Sequence, residues 1–302
     1  MSLDVEVLAA FDPLAGLPTG DVTRYVVVDV FTRVPLEGNG LGVFTDARGL
    51  STTTMQRLAR ELKLSETVFL LPPSEGGDCR LRIFTPTGEL PFAGHPVLGA
   101  AFVLGWALER DTLGLETGVG LVRVELAREG GRLVFGRMRQ PIPTWCAYER
   151  QPELLRALGV ERSGLPVEVY SNGPRHVYVE LDSEEAVAGL RPDLAALDAL
   201  GEMGVSCFAG SGASWKTRMF APALGVPEDP ATGSAAGPLS VHLSRHGRVS
   251  FGEEIEIRQG AEIARPSLLY ARTTGTTERI DRVEVGGSAV IVAGGGFLAQ
   301  VA

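Results

Sequence analysis

Several things are scarce in this 302-residue chain. It has three cysteines, Cys79, Cys146 and Cys207, far apart and without a C-x-x-C pair. That argues against a disulfide framework and for free thiols in a reducing compartment. Lysine is scarcer still. Lys63 falls on the polar face of an amphipathic helical pattern and Lys216 on an alternating strand pattern, so Schiff-base chemistry is not expected. Positive charge is in deficit, 28 Lys+Arg against 37 Asp+Glu for a net −9, and such a field repels nucleic acid and anionic membranes. The longest strongly apolar run, Pro96 to Leu108, is too short to cross a bilayer. The opening stretch lacks a basic n-region and carries Asp4, Glu6 and Asp12, which makes a poor signal peptide. We read residues 1–23 as a peripheral extension and expect a cytoplasmic protein. No GxxxxGK[ST] occurs and no GxGxxG follows a strand, which removes the nucleotide and nicotinamide readings.

What is present is an ordinary globular composition, 44% hydrophobic and 22% charged. The length suits about two domains of roughly 150 residues. Tyr25 to Phe31 is β-rich. A helix is expected over about 51–63, where Met55, Leu58, Ala59 and Leu62 fall at i, i+3, i+4 and i+7, with Thr53 and Gln56 spaced as a capping box. Ser65 to Leu71 reads as a strand, and Arg80 to Phe84 alternates as a half-buried one. Val167–Tyr170, Ser171–Pro174 and His176–Leu181 form a hairpin pattern, and Gly130-Gly131 marks another. Helices are expected over Pro152–Leu158 and Pro192–Leu200. Closing strands are expected at Ser288–Val292 and Phe297–Val301, on either side of Gly294–Gly296.

The chain says nearly the same thing twice. Phe84-Thr85-Pro86 leads through a loop to Gly94 and an apolar helix ending near Leu108. Phe220-Ala221-Pro222 leads through a loop to Gly233 and a helix ending near His246. The offsets are 220 − 84 = 136 and 233 − 94 = 139, close to half the chain, so two similar domains are expected rather than a solenoid. The boundaries read as 24–125 for the first domain, completed by strands at about 288–302, and 126–287 for the second. Each glycine opens a helix, where unpaired N–H groups and partial positive charge favour an anion. Two such helix starts facing one cleft would suit a carboxylate.

Four motifs in order, Gly38-Asn39, Ser65-Glu66-Thr67-Val68-Phe69, Phe92-Ala93-Gly94-His95-Pro96 and Glu228-Asp229-Pro230-Ala231-Thr232-Gly233-Ser234-Ala235, resemble the PhzF-like (phenazine-biosynthesis) family over roughly residues 24–302. The resemblance implies an α+β fold like that of diaminopimelate epimerase, two pseudo-symmetric domains each with a sheet wrapped around a central helix, and an active site between them. It implies a cofactor-independent isomerase of a small carboxylic acid such as trans-2,3-dihydro-3-hydroxyanthranilate, and a homodimer. By the same resemblance Glu66 is the proton shuttle, and His95 and Asp229 orient the substrate or relay protons. Asn39, Gly94, Thr232, Gly233 and Ser234 line the carboxylate site. Proton abstraction from carbon asks for a base with a raised pKa, and apolar neighbours such as Val68 and Phe69 would desolvate Glu66 in that sense. The chain departs from the family pattern at Gly40, where proline is frequent, and at Val97, where threonine is usual. Where related two-thiol epimerases carry cysteines this chain has Ala93 and, by our reading of the sequence, Ala235.

Other readings of the same residues are plainer. His95 suits a helix start, Asp229 before Pro230 suits a turn, and Arg80, Arg175 and Arg218 are surface residues by default. His242 and His246 stand at i, i+4, a metal spacing, but without an accompanying acidic ligand in the helix. We expect a helix end that accommodates histidine, and no metal. A non-catalytic binder of small acids and an epimerase with a second base, His95 or Asp229, are the alternatives to a single-base isomerase.

Overall fold

The computed structural model describes residues 22–297. Residues 1–21 of the expected extension, and all but Phe297 of the expected final strand, lie outside that range. The chain divides at Met138/Arg139 and again at Val285/Gly286 into two compact units, the first of which takes back the C-terminal stretch.

The first unit runs β1 (Thr23–Val30), β2 (Asn39–Phe44), α1 (Thr52–Leu62), β3 (Glu66–Leu71), β4 (Cys79–Phe84), β5 (Glu89–Leu90), α2 (Gly94–Leu108), β6 (Thr112–Thr117), β7 (Gly120–Glu129) and β8 (Arg132–Gln140), whose end crosses the division. β1–β2 is antiparallel, β2–β3 parallel, β3–β4 antiparallel, β4–β6 parallel and β6–β7 antiparallel. Side chains alternate across this sheet. Val26, Val28, Val30, Leu41, Val43, Val68 and Leu70 are buried, and β1, β2, β3, β6 and β7 all pack against α2. Phe44 and Phe69 point the other way and pack with Met55, Leu58 and Ala59 of α1. From Gly94 to Gly105 every residue of α2 is buried, as befits a helix that is apolar on all sides. Gly99 lets it sit close: a Cβ there would lie 2.5 Å from a Leu41 methyl and 2.9 Å from Val30.

The second unit runs β9 (Thr144–Ala147), α3 (Gln151–Leu158), β10 (Glu168–Ser171), β11 (Arg175–Glu180), α4 (Glu184–Gly189), α5 (Leu194–Asp198), β12 (Gly204–Ser211), β13 (Ser214–Ala221), β14 (Val226–Asp229), α6 (Gly233–Arg245), β15 (Glu254–Gln259), β16 (Ser267–Gly275) and β17 (Ile280–Gly287). The pairing order repeats: β10–β11 antiparallel, β11–β12 parallel, β12–β13 antiparallel, β13–β15 parallel, β15–β16 antiparallel. α6 is buried from Gly233 to Ser244 and takes the place of α2. Val177, Val179, Val205 and Cys207 face an outer cluster with Leu154, Leu155 and Leu158 of α3. β18 (Ala289–Phe297) then returns to the first unit beside β1, as β9 lies beside β10.

Four readings from sequence change here. The N-cap of α1 is Ser51, whose side chain accepts from the Thr54 N–H, so Thr53 is inside the helix and Gln56 instead donates to the Thr85 carbonyl. A short helix, α4, lies in a stretch with no sequence signal long enough to mark it. Gly294–Gly296 do not separate two strands but lie within β18, paired with Val26, Tyr25 and Arg24. The reason is room: a Cβ on Gly295 would lie 2.9 Å from the Tyr25 hydroxyl. Arg218 is not a surface residue. Only 5% exposed, it forms a two-pronged ion pair with Glu228 and donates to the carbonyls of Ala188 and Leu190.

Candidate active site

In the first unit the strand alternation that turns Val68 and Leu70 toward α2 does the same for Glu66, the first residue of β3. β2 and β3 are parallel with Leu41 opposite Glu66, so Asn39 and Glu66 come to the same end of the sheet. There α2 begins, with Gly94 and His95 in its first turn and Ala93 as an N-cap that offers no side-chain oxygen. The structure thus brings together Asn39, Glu66, Gly94 and His95. Asn39 Nδ2 lies 3.3 Å from His95 Nδ1. An amide NH2 only donates, so Nδ1 accepts and the ring proton sits on Nε2. That nitrogen faces Glu66 Oε2 at 3.4 Å. Burial pushes the His95 pKa down to about 3, so the ring is neutral near pH 7. Glu66 keeps 15% of its side chain exposed while His95 keeps 3%, so the carboxylate is the member of the pair that reaches out of the interior.

In the second unit Asp229, Thr232, Gly233 and Ser234 gather at the start of α6. Thr232, its N-cap, donates to Asp229 Oδ2 at 2.6 Å. Gln259 fastens the turn, donating to the Asp229 carbonyl at 2.8 Å and to Thr232 Oγ1 at 3.0 Å. Counting from the helix starts, the counterpart of Ala93 is Thr232 and not Ala235, which corrects the sequence comparison. Neither position holds a thiol. Cys79 and Cys207 are buried with thiol pKa values pushed up to about 12, chiefly by desolvation, and Cys146 is exposed on β9.

Three side chains that the sequence did not single out hold the first turn of α6 by its carbonyls. Gln140 donates to Gly233 O at 2.8 Å, Asn172 to Ser234 O at 2.9 Å and Tyr178 to Ala235 O at 2.7 Å. Pro238 lies inside the helix. With no N–H it cannot serve the carbonyl four residues back, which is that of Ser234, and Asn172 supplies the missing donor. Pro238 was the available signal, since an interior proline predicts an outside donor for residue 234. His176, also unremarked, places Nε2 3.0 Å from Ser234 Oγ.

His242 and His246 sit elsewhere on α6, around Glu168. Glu168 Oε2 receives Tyr170 at 2.8 Å, His242 Nδ1 at 3.1 Å, His246 Nε2 at 3.2 Å and Arg245 Nη1 at 2.8 Å. Burial alone would raise the Glu168 pKa, but these hydrogen bonds outweigh it and hold the group well below the usual carboxylate range. The two histidines and Glu168 offer ligand atoms within 4.8 Å of one another. The Arg245 guanidinium on the same oxygen opposes a dication there. His242 lies in the last turn of α6, as expected, and is fully buried there, with its ring against Tyr170, Tyr178 and Phe208.

With this geometry in view, the chain was compared with known proteins. The family model described as phenazine biosynthesis-like protein (PhzC-PhzF) matches residues 28–295. The chain belongs to this family. The trans-2,3-dihydro-3-hydroxyanthranilate isomerase of Pseudomonas chlororaphis is 54% identical over 267 residues, covering 88% of this chain and 96% of that protein. A solved structure of the Bacillus anthracis phenazine biosynthesis protein of the PhzF family is 26% identical with a TM-score of 0.80, over 93% of this chain and 100% of that one. A hydroxyproline epimerase from Agrobacterium vitis, 13% identical with a TM-score of 0.63 over 92% and 91% of the two chains, shares the fold. By its membership this PhzF-family chain is an isomerase. Among the described residues no helix is long and apolar enough to cross a membrane.

Proposed function

We propose that this protein isomerises a small carboxylic acid of the dihydro-hydroxyanthranilate type, with Glu66 moving a proton from one carbon to another. The observation that carries the reading is the Asn39–His95–Glu66 chain. Asn39 fixes the tautomer of a neutral, buried His95, whose Nε2–H faces the carboxylate. A partly exposed carboxylate beside such an N–H is a general base that becomes a general acid once protonated, which a shift within one molecule requires. Glu66 takes the proton from an activated C–H. The charge left behind spreads over the unsaturated acid, and the same carboxyl returns the proton at a second carbon. Nothing is oxidised or reduced, so the reaction needs no redox cofactor.

Asp229, Thr232, Gly233 and Ser234 are proposed as substrate-binding and proton-relaying residues, and Gly94 and Asn39 as lining residues in the first unit. Helix starts offering N–H groups suit the carboxylate. The name of the Pseudomonas chlororaphis relative supports the choice of substrate class. A two-base epimerase is less well supported. Of the second bases considered, His95 has Nδ1 engaged by Asn39 and carries its proton on Nε2, and Asp229 Oδ2 accepts from Thr232. A homodimer working in the cytoplasm, with a small acid and neither nucleic acid nor membrane as partner, completes the proposal.

The test is proton NMR in D2O with a panel of small unsaturated acids that includes dihydro-hydroxyanthranilate, run on wild type and Glu66→Gln. Deuterium entering one carbon with wild type alone is the expected result. Equal incorporation by a folded Glu66→Gln variant would remove Glu66 from the mechanism. Binding without incorporation by either protein would favour the non-catalytic reading.

A further inference from the structure

His176 is the first inward-facing residue of β11 and is 3% exposed. Strand alternation sends Val177 and Val179 to the outer cluster, while His176 and Tyr178 face α6. Its Nε2 lies 3.0 Å from Ser234 Oγ, and its Nδ1 is buried with no hydrogen-bond partner. Nδ1 lies over Gly204, the residue opposite on β12, where a Cβ would come within 2.6 Å. The ring is neutral near pH 7, since burial lowers its pKa to about 4.

A neutral imidazole carries one proton. Placed on Nδ1, it would leave a buried N–H with no acceptor, and orphaned N–H groups are the rarer fault in protein interiors. Placed on Nε2, it is donated to Ser234 Oγ and leaves only an unused acceptor. The serine oxygen then accepts from His176, and its own O–H is committed to donate elsewhere. Meanwhile Gln140, Asn172 and Tyr178 hold the carbonyls of Gly233, of Ser234 itself and of Ala235, so the turn that carries the hydroxyl is fixed.

We infer that His176 is a positioning residue that makes the Ser234 hydroxyl an obligate hydrogen-bond donor toward the substrate carboxylate. This rests on the proposed role of Ser234 as a carboxylate-binding residue. Gly204 serves the same end by leaving room for the ring.

Two measurements test it. The first is 15N NMR of histidine-labelled wild type at pH 7, with the His176 signal assigned by its loss in His176→Gln. The expected result is an Nε2-protonated ring; an Nδ1-protonated or cationic ring overturns the inference, whatever any variant does. The second is calorimetric binding of anthranilate and of anthranilamide, its uncharged counterpart, to wild type, Ser234→Ala, His176→Phe, His176→Gln and the Ser234→Ala/His176→Phe double variant, each with its melting temperature measured. Ser234→Ala and His176→Phe should each weaken anthranilate binding about tenfold, as the loss of one charge-assisted hydrogen bond does. Anthranilamide binding should change little. The double variant should be no weaker than Ser234→Ala, and His176→Gln, which keeps a donor near the Nε2 position, should bind like wild type. If Ser234→Ala weakens anthranilate and a folded His176→Phe does not, the inference about His176 fails and the carboxylate site stands. If wild type does not prefer anthranilate to anthranilamide, or Ser234→Ala has no effect, the carboxylate reading of α6 fails and takes the inference with it.

Discussion

The two units share a strand order and a central helix, and they differ at the first residue of one strand. In the first unit β3 opens with Glu66; in the second β12 opens with Gly204. In both, the preceding strand in parallel register brings a polar side chain to the start of the central helix, Asn39 to His95 and His176 to Ser234. One copy therefore carries a carboxylate with a histidine behind it. The other has given up the carboxylate position to admit a histidine that points at a hydroxyl. On the proposed roles, Glu66 in the one copy serves proton transfer and the start of α6 in the other serves anion recognition.

The comparison breaks most sharply at Glu66. Glu66→Gln should melt within a few degrees of wild type and lose at least about a hundredfold in kcat, the usual scale of general acid–base catalysis. A rate within a fewfold of wild type would place the base elsewhere. The second unit should instead yield under structural loss. Asn172→Ala orphans the Ser234 carbonyl beneath Pro238 and should cost about 1–3 kcal/mol in urea unfolding. In a Pro238→Ala background the restored N–H serves that carbonyl, so the same substitution should cost measurably less; an unchanged cost would mean that Asn172 matters for another reason. Gly204→Ala puts a methyl group 2.6 Å from His176 Nδ1 and 3.1 Å from Met219 Sδ, and should destabilise by about 1–3 kcal/mol, the range for overpacking. Gly88→Ala, at a position with no positive φ and nothing within 4 Å of a built Cβ, should change stability little and is the control for the added methyl group alone.

A further effect is in acid. His95 and His176 are buried neutral with pKa values of about 3 and about 4, against about 6.5 in an unfolded chain. Between those values the unfolded state binds the extra proton, so stability falls as pH drops below about 6.5. Each histidine contributes a slope that approaches 1.4 kcal/mol per pH unit, at most, until its folded pKa is reached. His176→Phe should flatten the decline between about pH 6 and 4 in chemical denaturation. An unchanged slope would mean that His176 is not buried neutral.

Much of this was legible before any coordinates. The Phe84/Phe220 and Gly94/Gly233 spacings exposed the repeat, a strand-like run placed β3, alternation β4 and turn residues the β10–β11 hairpin, because those signals are local. Asn39, Glu66 and His95 were each named, and their meeting depends on the parallel pairing of β2 with β3, which pattern alone does not specify. What sequence missed is longer in range. Gln140, Asn172, His176 and Tyr178 come from β8, the β10–β11 turn and β11 to one helical turn, and no periodicity links them. Ser51 was passed over for Thr53 because both can cap. The three glycines of β18 read as a break because the side chains that fill the space at Gly295 and Gly296, Tyr25 and Val22, lie some 270 positions earlier.

β18 has a further bearing, on synthesis. The second unit is one continuous stretch, Arg139–Val285, whereas the first is built from two stretches and needs residues that are made after the whole of the second. Until β18 arrives, β1 (Thr-Arg-Tyr-Val-Val-Val-Asp-Val) has an open edge whose intended partners are Ala289 to Phe297. A valine-rich edge of this kind is an invitation to strand addition by another nascent chain. The unit that contains Glu66 thus closes only after the second has been made, and the unit that contains Ser234 can be complete before it.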